Sequence, residues 1–589
     1  MSKTSIIAAT LLIIFGTTHQ NCAAQAQADF VPCSEMPDIM QHFYADFEAI
    51  HRFYSPSGND GASGGETRSA STPETKIRIE NLCQDYLKQL SLMDFKTLSQ
   101  ECKVDYILFK RDLDKRLQDL AIETIEFDKI RSWIPFETGI DSVERLRRRG
   151  VVLDAEKISR EWFEDAKLVK TLEGKLNTDK SIVFTSTYYA ADEVFLLKRE
   201  LESVYHFYDG YDPLFTWWAP KTFKVLDSLL GDYAQWFKKK RETMVMPDKS
   251  GIVGRPVGRD ELIRQLNYEM IPYSPEELIG IANKEFAWCD SEMLKASREM
   301  GFGDDWKAAE EKVKNSYVPA GKQPEMILGL YNESVQFLKK NDLITIPPLA
   351  EETWGMYMMT PERQLVNPFF LGGEDIIISY PTNTMDEDAK LMSMRGNNPH
   401  FSRATVHHEL IAGHNLEHYM NQRYRTYRNF DTPFWVEGWS LYWELLLWDL
   451  HFPKSPEDKI GMLFWHMHRC ARIIFSLNYH LGRWSPQQCI DFLVERVNHE
   501  RANAEGEVRR SFEGGYPPLY QLAYLTGGRQ FYALKNELVD SGKMTYKQFH
   551  DSVMHLNSMP IEMIRAILTN QPLSKDYITS WRFYSEINH

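Results

Sequence analysis

The chain has 589 residues, 43% of them hydrophobic and 26% charged, a balance ordinary for a soluble globular protein and enough for a large core. Its formal net charge of −15 argues against nonspecific binding to nucleic acid, whose phosphates need cationic surface to neutralise them. There is no basic arm; Arg145 to Arg149 is a short run that reads as a solvated helix face.

Lys3 precedes an apolar run from Ile6 to Phe15 that is too short to span a bilayer, and Ala24-Gln25-Ala26 has the small-x-small form of a cleavage site. Residues 1–26 therefore read as an export signal, which points to a periplasmic or secreted protein. Cys22 lacks the small-residue context of a lipoprotein signal, so no lipid anchor is expected. Residues 27–75 form an N-terminal segment, and from Ser55 onward it is rich in Ser, Gly and Thr and reads as a mobile loop. Seven cysteines are present. Removal of the signal takes Cys22, and one bridge is expected among Cys33, Cys83 and Cys102. With no Cys-x-x-Cys, a cysteine zinc site is not expected.

Residues 76–589 read as one helical domain. Ile79, Leu82, Tyr86, Leu87 and Leu90 recur at helical spacing, as do Tyr106, Leu113, Leu117 and Leu120. The stretches 215–240, 275–299 and 324–340 follow the same pattern. Ser274 before Pro275-Glu276-Glu277 is a helix start, with a cap, proline at the first position and then acid. The exception is Asp375 to Tyr380, a β-branched run ended by Pro381 that reads as a short strand. Its edge could pair with an extended substrate, with Tyr380 as a contact; an internal strand is an equal reading. No later apolar run is long enough for a membrane span.

The densest chemistry lies in Val406 to His418, which puts four imidazoles and two carboxylates within 13 residues. Neutral imidazole and carboxylate are ligands that zinc accepts, and a spare carboxylate can serve as general base. The familiar His-Glu-x-x-His spacing is missing: Ala412 stands where the second histidine belongs, and the next is His414. In a regular helix six residues turn by roughly 600°, leaving His408 and His414 about 120° apart. They can share a cation only if the helix deforms, for which Ala412-Gly413 is a plausible place. The undeformed alternative is His414-x-x-Glu417-His418, the inverted zinc motif. His407 and His418 each read more readily as surface or core histidines than as ligands. Trp435, Trp439 and Trp443 recur every four residues, as core packing would.

The block His408-Glu409-Leu410-Ile411-Ala412-Gly413-His414 resembles the His-Glu-x-x-Pro-Gly-His signature of the bacterial domain-of-unknown-function 885 family, with alanine in place of proline. Glu437-Gly438-Trp439-Ser440-Leu441-Tyr442-Trp443-Glu444 is similar to that family's Glu-Gly-Trp-Ala-Leu-Tyr-x-Glu. Softer likenesses follow in order at Arg472 to His480, Pro518 to Gly527 and Phe549 to Pro560. Ser476, Asn478, Leu519 and Tyr520 depart from the family pattern. The resemblance implies a mainly α, large multi-helix metallopeptidase-like fold of gluzincin type, with a short strand beside the metal helix and distant similarity to carboxypeptidase Taq. It also implies a metal site within residues 400–530, with His408, His414 and Glu437 as ligands and Glu409 as general base.

The cofactor expected is Zn2+, although the same ligands suit other divalent ions. Three protein ligands leave zinc a position for water, and Glu409 would move the proton from that water to the leaving amine. Tyr524 and His480 are candidate oxyanion donors; each reads equally as a core residue. Arg472 or Arg529 could bind a substrate carboxylate, although each reads more readily as a structural salt bridge. Glu444, two turns after Glu437, could orient a ligand histidine. The expected function is an exported zinc peptidase, carboxypeptidase-like, acting on a peptide or small amide. The alternatives are an amidohydrolase of nonpeptide amides and a catalytically degenerate helical binding protein.

Overall fold

The computed structural model describes residues 32–54, 73–244, 248–364 and 369–586. The expected signal at 1–26, Cys22 and most of the expected loop, residues 55–72, lie outside the described residues. What is described is mainly helical, with one two-stranded sheet among the described residues. None of the described helices is long and apolar enough to cross a membrane.

The expected single helical domain carries two hydrophobic cores. Helix α1 (Gln100–Ile130) runs from one to the other. Beyond it, α2 (Ala155–Leu176), α3 (Phe184–Tyr208) and α4 (Pro213–Glu242) pack around Trp162, Val194, Leu197, Tyr233 and Phe237 as a satellite bundle. Here Arg145 to Arg149 departs from the expected solvated face. Arg147 and Arg148 both bond the buried Glu144, and Arg145 pairs with Asp141 at 2.8 Å.

The main core begins with the first described helices, Pro37–Tyr54 and Pro73–Ser91. They are fastened by a Cys33–Cys102 disulfide, which is one of the pairs expected, while Cys83 is free and buried. A buried ion cluster holds α1 to the rest of the body. Arg428 Nε is 2.7 Å from Asp105 Oδ1, its Nη2 is 2.9 Å from Glu101 Oε2, and its Nη1 donates to the Leu556 carbonyl at 2.7 Å.

Helix α5 (Pro275–Glu299) starts on the expected Ser274 cap, with Glu277 completing a capping box. Strand β1 (Met356–Met358) then pairs in parallel with β2 (Ile376–Ile378), inside the stretch expected to be extended. On its other side, Ile377 exchanges both backbone hydrogen bonds with Leu371, at 2.8 and 3.1 Å. Both edges of β2 are therefore taken, and the expected pairing of this strand with a substrate backbone is corrected. The Tyr380 amide is likewise engaged, donating to Gln364 Oε1 at 2.9 Å.

Six helices build the centre of the body: α6 (Pro399–Glu409), α7 (His414–Asn421), α8 (Pro433–Asp449), α9 (Pro456–His480), α10 (Arg501–Glu513) and α11 (Tyr520–Lys535). Trp435, Trp439 and Trp443 are buried in the core, as their spacing predicts. Glycine lets α8 and α11 cross almost backbone to backbone. A Cβ on Gly527 would come within 1.9 Å of the Phe434 carbonyl oxygen, and one on Gly438 within 2.6 Å of Gly527. That close crossing brings the start of α11 up to Glu437.

Candidate metal centre

The segment expected to be a deformed helix is two helices. Helix α6 ends at Glu409, the chain turns through Leu410 to Gly413, and α7 begins at His414. The turn is tight: a Cβ on Gly413 would lie 1.9 Å from the His408 carbonyl oxygen, so only glycine fits. Trp439 Nε1 holds the turn by donating to the Ala412 carbonyl at 2.9 Å. The break removes the angular mismatch of a continuous helix, and the His408 and His414 rings lie edge to face, 4.9 Å between centroids.

Both rings converge on one oxygen. His408 Nε2 is 3.4 Å and His414 Nε2 3.3 Å from Glu437 Oε2, and all three side chains are largely buried. One ligand atom from each residue fits within 4.8 Å of the others. Glu437 Oε2 makes no hydrogen bond of good geometry, while Tyr520 Oη donates to the other oxygen. Two nitrogens and one oxygen aimed at a common point, with a buried carboxylate oxygen left over, are the donor set of a His2Glu zinc site. The residues fit the ion.

Each ligand is braced from behind. Glu444 Oε1 lies 2.7 Å from His408 Nδ1, in the orienting position expected of it, and Arg469 Nη2 donates to the same oxygen at 3.3 Å. Glu417 Oε2 is 3.3 Å from His414 Nδ1, and Ser440 Oγ donates to Glu417 Oε1 at 2.9 Å. Carboxylates behind imidazoles fix the tautomer and raise ligand basicity. Burial opposes charge on Glu444, but Arg469 and His408 outweigh it and hold its carboxyl down at about 2. Burial likewise opposes charge on His414, yet Glu417 and Glu437 raise its pKa well above the usual range.

The inverted motif does not gather. His418 turns outward, half exposed, with Nε2 2.7 Å from Glu374 Oε1. Its partner in the motif, Glu417, braces His414 instead. His407 is core, edge-on to Phe452.

A cavity of about 140 Å³ opens onto the three donors, and Glu409 lines it beside Gly372. A Cβ on Gly372 would meet the Glu409 carboxylate at 2.5 Å, so the loop backbone lies directly against the expected base. A cavity of about 490 Å³ near Tyr268 is larger, but no imidazole lines it. Convergent donors, not volume, mark the site.

On the opposite wall stand Tyr524 and three arginines. The Tyr524 ring is stacked on His408 at 6.0 Å, and the guanidinium groups of Arg469 and Arg472 lie 4.5 and 4.4 Å from its centre. Arg472 Nε donates to the buried Glu507 at 2.7 Å, while its Nη1 has no hydrogen-bond partner among the described residues. Arg510 completes the group.

Three expected site residues lie elsewhere. Arg529 pairs with the buried Glu285 and borders a different cavity. His480 closes α9 against Tyr479 and Phe512, where burial pushes its pKa down to about 4, and it does not line the donor cavity. Tyr380 does not line it either. Arg529 and His480 each lie on a helix whose site-facing stretch is elsewhere, at Tyr520 and Tyr524 on α11 and at Trp465, Arg469 and Arg472 on α9. Sequence reasoning missed Arg469, Arg510, Glu507 and Ser440, and read Glu417 only as part of the inverted motif. Helical spacing carried part of the signal, since Arg469 is one turn before Arg472 and Ser440 is three residues after Glu437.

Residues 221–568 match the family described as bacterial protein of unknown function, DUF885. The chain belongs to that family. A comparison with curated proteins gives no match. Among solved structures, a protein of unknown function from Shewanella oneidensis, provisionally named a lipoprotein, is 15% identical with a TM-score of 0.65, and the likeness covers 91% of this chain and 100% of that one. A second provisionally named lipoprotein, from Colwellia psychrerythraea, is 15% identical with a TM-score of 0.53, over 91% of this chain and 98% of that one. These likenesses are of fold.

Proposed function

We propose that the protein is an exported, zinc-dependent peptidase that acts at the carboxyl end of its substrate. One observation carries the reading: His408 Nε2 and His414 Nε2 converge on Glu437 Oε2 in the cavity that Glu409 lines. When bound there, a zinc ion supplies Lewis acidity and acidifies water. Glu409 takes the proton from the attacking water and delivers it to the departing amine. Tyr524, whose ring is stacked on His408 and lines the cavity, supplies the oxyanion's donor in this reading. The carboxyl-end preference is supported by the opposite wall. Arg469, Arg472 and Arg510 face the cavity, with Glu507 and Glu444 as their acidic neighbours. A free guanidinium nitrogen there suits a terminal carboxylate.

The test is metal analysis of the purified protein together with hydrolysis of peptides that carry a free or an amidated carboxyl terminus. Zinc that is lost in His408→Ala, and chelator-sensitive release of the last residue from free-ended peptides only, are expected. Glu409→Gln should keep the metal and lower turnover by roughly 100-fold or more. A protein that retains no metal, or a Glu409→Gln variant with full activity, would end the reading. Equal cleavage of amidated peptides would remove the carboxyl-end preference alone.

A further inference from the structure

A second cluster of metal-binding side chains lies on the far side of α9, away from the donor cavity. Cys470 and His466 are one turn apart on α9, and Cys289 and Glu285 are one turn apart on α5, the helix packed along it. All four are buried. One ligand atom each from Cys289, His466 and Cys470 lies within 4.8 Å of the other two. His466 Nε2 is 2.9 Å from Glu285 Oε2, which leaves the other ring nitrogen for a ligand role. Glu285 is itself fixed, accepting from Arg529 Nη2 and, at 3.0 Å, from Tyr584 Oη.

We propose that Cys289, Cys470 and His466 form a second cation site, selective for a thiophilic ion such as Zn2+. Two sulfurs and an imidazole are the donors such ions prefer. Glu285 stands behind the imidazole as carboxylates do behind metal-bound histidines, fixing its orientation and raising its basicity. The cluster is also reachable. A cavity of about 290 Å³, lined by His466, Trp288, Trp448 and Arg529 though by neither cysteine, reaches the imidazole of the cluster. Glu444 borders this cavity and also braces His408. The two sites therefore share a wall but no ligand, and the second does not depend on the catalytic reading of the first.

The full chain, purified under reductant and stripped with a chelator, is titrated with Co2+. A second equivalent with near-ultraviolet thiolate-to-cobalt absorption is expected, and Zn2+ should bleach it. The His408, His414 and Glu437 set contains no sulfur and cannot give that absorption. Cys289→Ser and Cys470→Ser should each lose the absorption and one equivalent. His408→Ala should lose the other equivalent and keep the absorption. Zinc-edge X-ray absorption of the unmutated protein guards against variants that fail to fold, and zinc–sulfur scattering at about 2.3 Å is expected. Cobalt binding without the sulfur absorption, zinc scattering from nitrogen and oxygen alone, or a Cys289–Cys470 disulfide in protein isolated without reductant would overturn the proposal.

Discussion

Glu444 shows how a single side chain sets the quality of the candidate centre. Its carboxylate touches His408 Nδ1 and so decides which ring nitrogen faces Glu437. Removing its charge while keeping its shape should leave the fold intact and loosen the ion. Glu444→Gln is expected to weaken zinc affinity by about 10–100-fold, as other substitutions behind metal-bound histidines do. Competition with a chromogenic chelator measures it, and an unchanged affinity would mean that Glu444 serves only Arg469. The His-Glu block and Glu437 were legible because metal ligands must be particular residue types at particular separations. Their bracing was less legible, because a Ser or a Glu on the right face of a helix looks like any other until the neighbouring helix is placed.

At the scale of elements, the fold resolves a conflict between local and global geometry. Six residues between ligands do not suit a continuous helix, and the chain answers with two helices and a glycine turn. Helical periodicity located the helices well, since apolar faces repeat wherever a core is being covered. It could not show that α6 stops at Glu409, because Leu410 and Ile411 continue an apolar pattern while turning a corner. Nor could it show that β2 has both edges occupied, since Leu371 carries no pairing signal of its own. The loop that follows α7 is anchored by Arg428, which is buried between Glu101 and Asp105. Arg428→Ala leaves Asp105 in the interior without its cation, while Glu101 keeps Arg425 at 2.9 Å. It is expected to cost about 3–5 kcal/mol, read as a shifted midpoint in urea. A loss below 1 kcal/mol, the range of an exposed pair, would show that water reaches the cluster.

At the scale of the whole molecule, the satellite bundle is a second core with its own response to pH. Composition could not reveal it, because apolar content is spread evenly along both parts. Glu200 on α3 is buried, and its Oε2 has no hydrogen-bond partner among the described residues. Burial, then the nearby charges of Asp141, Glu193 and Glu144, push its pKa well above the usual carboxylate value, against the pull of Arg148. A carboxyl whose pKa is raised by folding favours the folded state below its unfolded pKa, and that contribution is lost as pH climbs through the folded value. The bundle should therefore weaken from acid toward alkaline pH. Glu200→Gln should raise the melting temperature more at pH 8 than at pH 5, as followed by calorimetry. An equal effect at both would show that Glu200 is already ionised in the fold.

The Cys33–Cys102 bridge ties the segment just ahead of the helix Pro37–Tyr54 to α1 across 69 positions of chain. Anything that cuts the backbone between those two cysteines therefore liberates no fragment. A protease nick there should pass unseen on a denaturing gel, with a single band at full size, until a thiol such as dithiothreitol is added and the chain comes apart in two.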